Sequence, residues 1–286
     1  MRWDQDHESP DLIDERGEGG PRMAGGSLLG LLPFLLRFRY GWVVIVLFLG
    51  FSVARGLFSG GAHGVANAPV AARGSDEPRH FVAFVLDDVQ STWQGIFAAN
   101  GQNYRHAKLV LFTDSTNTGC GFGDAASGPF YCPNDERVYI DLAFYQELAQ
   151  RFGAKGDFAE AYVIAHEIGH HVQKLLGISE RMEHASKAAA LGPTGLSVRL
   201  ELQADCFAGI WARSTNQRQI LDPGDVQEAL GAAAAVGDDR IQREATGTVN
   251  PEKWTHGSAE ERSRWFERGF EAGSINGCDT FSAATL

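Results

Sequence analysis

The segment Ala161-Tyr162-Val163-Ile164-Ala165-His166-Glu167-Ile168-Gly169-His170-His171 constrains this chain more than any other. It reads as a helix. Residues four apart share one helical face, so His166 and His170 can close on one metal ion. Glu167 lies between them, within reach of a water held by that metal. Two imidazole ligands and a carboxylate base at this spacing are the His-Glu-x-x-His pattern of zinc hydrolysis.

Two histidines leave a catalytic site short of a ligand, since such sites take three protein ligands and keep one position open. A second helical run, Ser197 to Ala212, spaces Leu200, Ala204, Phe207 and Trp211 for burial and puts Glu201 and Asp205 on one face. Carboxylates beside an apolar stripe are costly unless paired or bound to a cation. Glu201 is therefore expected as the third ligand. Asp205 is expected to accept the free ring N–H of His166 and fix its orientation. His171 points about 100° away from His170 and is not expected to bind metal. Gly169 is expensive inside a helix and calls for a close neighbour.

Other segments carry a resemblance. Met1-Arg2-Trp3, Gly128 to Pro133, Tyr139 to Leu142, Ala161 to Gln173 and Leu200 to Ala212 belong to it. So do Gly237 to Arg240, Thr255 to Ser258, Trp265-Phe266 and Cys278 to Phe281. In this order they resemble the bacterial neutral zinc metallopeptidases, a membrane-anchored family with a His-Glu-x-x-His helix and a later Glu-Leu-Gln-Ala-Asp helix. The resemblance implies one zinc ion, a peptide or protein substrate and a zincin-like domain. The family's glycine-rich run before its membrane segment is mostly replaced here by Leu28 to Leu36.

The 286 residues carry a net charge of −11 and hold no basic patch of the kind nucleic acids require. No G-x-x-x-x-G-K loop is present, so nucleotide-driven proteolysis is unsupported. Residues 1–40 are expected to be a cytoplasmic segment, and its polar, Gly-rich residues 1–27 read as disordered. Residues 41–58 are almost uninterruptedly apolar; as a helix they would span about 27 Å, enough for a bilayer core. Arg37 and Arg39 precede that run, so the positive-inside rule keeps the N-terminus in the cytoplasm and sends the rest to the periplasm or cell surface. Ala66-Asn67-Ala68 followed by Pro69 is a poor cleavage site. Residues 59–79 read as a linker, and 80–286 as the catalytic domain.

Within that domain, helical spacing is read over 81–100, 143–152, 157–176, 197–214, 224–236 and 259–272. Lys108–Thr113 and Arg137–Leu142 read as strands. The fold class expected is α+β with a helix-rich C-terminal half, preceded by one transmembrane helix. In zinc peptidases of this type an edge strand above the active-site helix takes the substrate as an added strand. Val138–Leu142 is the expected edge. Four cysteines allow three pairings. Cys120 and Cys132 flank a Gly/Ser/Pro-rich loop that a bridge would restrain, leaving Cys206 and Cys278 as the second candidate pair.

The expected reaction is peptide-bond hydrolysis. Glu167 deprotonates a zinc-bound water as it attacks and hands the proton to the leaving amine. The oxyanion needs a further donor. His256 is expected in that role, because Thr255-His256 followed by Arg262 is similar to a sequence found after the metal ligands of several integral-membrane zinc proteases. Tyr162 and Tyr139 are alternatives. Two other functions stay open: a catalytically silent, zinc-stabilised, membrane-anchored binding or scaffold protein, and a zinc hydrolase acting on cell-wall peptides or another amide.

Overall fold

A computed structural model of the chain describes residues 1–17, 76–180 and 186–286. In α1 (Glu77–Ala99), Phe81, Val85, Val89, Trp93 and Phe97 recur every four residues and all are buried. That stripe is one face of a 3.6-residue helix. Further helices are α2 (Ala143–Gln150), α3 (Asp157–Leu175), α4 (Lys187–Ala190) and α5 (Leu196–Gln217). The C-terminal part holds α6 (Asp225–Ala235), α7 (Asp238–Thr246) and α8 (Ala259–Ala272). α3 carries Asp157 and Glu160 in its first turn and Lys174 in its last, complementing the helix dipole. A capping box between Ser258 and Glu261 starts α8.

Strands β1 (Leu12–Asp14), β2 (Lys108–Phe112), β5 (Phe130–Cys132) and β6 (Arg137–Asp141) form one sheet in the order β1-β2-β6-β5. β1, β2 and β6 run parallel, and β5 lies antiparallel to β6. β3 (Ser115–Thr118) and β4 (Gly121–Asp124) make a separate hairpin. Alternation splits the sheet's side chains between two faces. Leu109, Leu111, Val138 and Ile140 join the main core with α1 and α3, while Val110, Phe112, Cys132 and Tyr139 form a smaller cluster on the other face.

The architecture is α+β with a helix-rich C-terminal half, as the periodicity indicates. Two expectations change. β6 is paired on both sides, by β2 and by β5, so it offers no free edge. Residues 1–17 are also folded, through β1 and the contacts of Met1 and Trp3, rather than disordered. The three-residue β1 draws its stability from β2, which lies far away in sequence, so no local pattern announces it. The expected anchor at 41–58, and residues 18–40 and 59–75 beside it, fall outside the described residues. Among the described residues no helix is long and apolar enough to cross a membrane.

Close backbone approaches tie α3, α5 and α8 together. A Cβ on Gly169 would stand 3.0 Å from the Ala204 carbonyl, so this glycine lets α3 press on α5. A Cβ on Gly209 would lie 2.1 Å from the Phe266 oxygen, and one on Gly269 only 1.9 Å from the Cys206 oxygen. Neither helix could hold this crossing with side chains there. The disulfide Cys206–Cys278 pins the C-terminal segment to α5, and Cys120–Cys132 ties the turn between β3 and β4 to the end of β5.

Candidate metal centre

The α3–α5 contact at Gly169 and Ala204 brings His166 and His170 against Glu201. His166 Nε2 lies 3.2 Å from Glu201 Oε2, and His170 Nε2 lies 3.5 Å from Glu201 Oε1. Two N or O ligands of one tetrahedral zinc, each about 2.0–2.1 Å from the metal, stand roughly 3.3 Å apart. Both histidine–glutamate separations match that spacing, and one ligand atom from each of the three residues lies within 4.8 Å of the others, so the three can reach a single ion. His166, His170 and Glu201 side chains are largely buried, with 8, 15 and 17 % exposure. Glu167, on the same helix, is buried, and its carboxylate accepts no hydrogen bond from any described residue.

Behind the donors, each ring is held by its other nitrogen. His166 Nδ1 lies 2.8 Å from Asp205 Oδ1, which fixes the proton on Nδ1 and leaves Nε2 for a metal. Asp205 is fully buried. Arg262 on α8 grips it with two bonds, Nε to Oδ2 and Nη2 to Oδ1, both 2.9 Å. The Tyr162 hydroxyl donates to the same Oδ1 and accepts from Arg262 Nη2 at 3.1 Å. Burial alone would raise the Asp205 pKa; Arg262 and His166 outweigh it and hold it down at about 2. Burial would lower His166, but Asp205 and Glu201 push it up to about 10. His170 Nδ1 instead meets Gln173 Oε1 at 2.9 Å. Gln173 donates to the Leu200 carbonyl at 2.7 Å and to Gln203 Oε1 at 3.2 Å, and Gln203 donates to the Cys278 carbonyl at 2.9 Å.

Carboxylates outnumber the guanidinium around the donors: Glu167, Glu201 and Asp205 against Arg262. Glu201 is held well below the usual carboxylate range: burial would raise it, but His170 and His166 prevail. A second acidic group, Asp157 with Asp225 and Glu228, already surrounds the Met1 ammonium, which lies 2.9 Å from Asp157.

His171 stays out of the site as expected. It is fully buried, donates to the Arg105 carbonyl at 2.6 Å and accepts from the Tyr131 hydroxyl at 3.0 Å. Tyr139 lies on the far face of the sheet, stacked on Phe130, and Tyr162 is committed behind His166; neither is placed to meet a substrate. His256 is half exposed in the turn before α8, its Nδ1 2.9 Å from Thr255 Oγ1 and 3.3 Å from Asp238 Oδ1. Burial lowers its pKa, but Asp238 and Glu201 raise it on balance. Tyr162 and Gln173 are the supporting residues that spacing could have revealed. Tyr162 precedes His166 by one turn and Gln173 follows His170 by three residues.

The sequence profile described as "Putative neutral zinc metallopeptidase" matches residues 1–281. The chain belongs to this family. YpfJ, an uncharacterised protein of Escherichia coli (strain K12), is 42 % identical over 98 % of this chain and 99 % of its own length. The uncharacterised proteins Mb2605 of Mycobacterium bovis and Rv2575 of Mycobacterium tuberculosis are each 47 % identical over 70 % of this chain and 69 % of theirs. No solved structure matches.

Proposed function

We propose that the chain is a zinc-dependent metallopeptidase of zincin type that hydrolyses peptide bonds. The observation that carries this reading is the spacing of His166, His170 and Glu201, with Glu167 beside them on the same helix. Those three residues would hold the zinc. When bound, zinc lowers the pKa of a water and polarises the scissile carbonyl.

The protein's own groups do the rest. Glu167 takes the proton of the attacking water and passes it to the leaving amine. Asp205, itself gripped by Arg262 and Tyr162, holds the His166 proton on Nδ1 and turns Nε2 toward the metal position. Gln173 does the same for His170. His256, held at Nδ1 by Asp238 and Thr255, supplies a hydrogen bond to the oxyanion of the tetrahedral intermediate. The intact Glu167 favours an enzyme over a zinc-stabilised scaffold, because a structural site needs no base.

The test uses the full-length, zinc-loaded chain and a diverse peptide library, read by mass spectrometry beside Glu167→Gln. Cuts made by the parent and absent from the variant, with equal zinc in both, are the expected result. No cuts from either protein would favour the scaffold reading.

A further inference from the structure

The first seventeen residues are built into the folded domain. Leu12, Ile13 and Asp14 pair in register with Leu109, Val110 and Leu111. The Leu109 amide donates to the Asp11 carbonyl at 2.9 Å and the Glu15 amide to the Leu111 carbonyl at 2.8 Å. Asp11 is buried, and its carboxylate takes bonds from Gln90 at 3.1 Å, His106 at 2.6 Å and Lys108 at 2.6 Å. Ser9 and His7 both bond Asp87 on α1, at 2.6 and 2.9 Å, and Trp3 packs edge-on against Phe81. Every one of these partners belongs to residues 76–112.

The departure and return points are also fixed. Arg16 pairs with Asp14 on its own side and with Asp76 where the chain comes back. Arg16 and Asp76, which flank residues 18–75 in sequence, therefore stand at one place in the domain. Residues 18–75 contain the two apolar runs 28–36 and 41–58, with Arg37 and Arg39 between them. A bilayer cannot lie between β1 and β2, because a parallel ladder and a buried carboxylate network join them.

We infer that residues 1–17 and 76–286 lie on the same side of the membrane, so that the N-terminal segment and the domain carrying the metal centre share one compartment. This replaces the single crossing expected from Arg37 and Arg39. It is independent of the catalytic reading, since it rests on β1 and not on the metal centre.

Single cysteines at two exposed positions of the full-length chain, Gln5→Cys and Ser91→Cys, test it in bacterial cells. A membrane-impermeant maleimide is applied before and after permeabilisation. The two positions are expected to label to the same extent, within twofold, under each condition. If one labels in intact cells and the other gains tenfold or more only on permeabilisation, the inference fails. A second measurement needs no variant: hydrogen exchange of the full chain in lipid vesicles. The Glu15 amide is expected to exchange at least a hundredfold more slowly than an unstructured one. Exchange at the unstructured rate would overturn the proposal.

Discussion

The two histidines of the centre are four residues apart on one helix, yet they are held from behind by opposite chemistry. His166 leans on a charged group: a fully buried aspartate clamped by Arg262 and Tyr162. His170 leans on neutral amides, Gln173 and then Gln203, that end on main-chain carbonyls. A carboxylate partner makes an imidazole a stronger electron donor, whereas an amide mainly sets its orientation. Negative charge thus reaches His166 from both sides, from Asp205 and Glu201. His170 has carboxylates only on its ligand side, Glu201 and Glu167. The lesson is a division of labour: one ring is tuned, the other is aimed.

Glu167→Gln bears on neither half of this comparison and has the largest effect. Turnover should fall by about a thousandfold with zinc content unchanged. Arg262→Met attacks the charged half by leaving Asp205 buried without its cation. It should cost about 3 kcal/mol in denaturant unfolding of the zinc-free protein, and Asp205→Asn combined with Arg262→Met should recover part of that loss. Asp205→Asn alone should weaken zinc binding some 10- to 100-fold in a competition assay with a chelator. Gln173→Ala should weaken it only about 3- to 10-fold by the same assay, at or below the low end of that range. Equal losses from the two variants would break the distinction between tuning and aiming.

The smallest effect lies at the N-terminal end of α3. Burial, helped by Asp157, pushes Glu160 up to about 7. A carboxyl whose folded pKa is raised contributes stability that is full below its unfolded value and lost as pH rises through the folded one. Stability should therefore decline between about pH 4.5 and 7 from this group. Glu160→Gln should flatten that decline and stabilise the protein above pH 7 by about 1 kcal/mol, allowing for the water at its partly exposed edge.

What could be read from sequence follows from how local each signal is. The metal donors lie at four-residue spacings on two helices, and helical geometry alone puts each pair on one face. α8 starts and ends at the expected residues because Ser258 and Glu261 mark its beginning and Gly273, with φ of 60°, marks its end. The partner of His166 was legible for the same reason: Asp205 repeats Glu201 one turn on. Arg262 was not, because its role depends on α8 crossing α5 through Gly209 and Gly269, a match between distant segments. Strand order was hidden too. Nothing near Val138–Leu142 says that Phe130–Cys132 pairs on one side of it and Lys108–Phe112 on the other. The reach of β1 across residues 18–75 is the extreme case.

That strand also governs how the protein can be cut. A fragment beginning near residue 75 looks natural, since α1 starts at Glu77. Without Leu12–Asp14 the backbone of Leu109 to Leu111 loses its partners along one side, and the flank of β2 becomes a template for another chain. Such a fragment should collect in inclusion bodies, and supplying residues 1–17 as a separate peptide should restore its solubility.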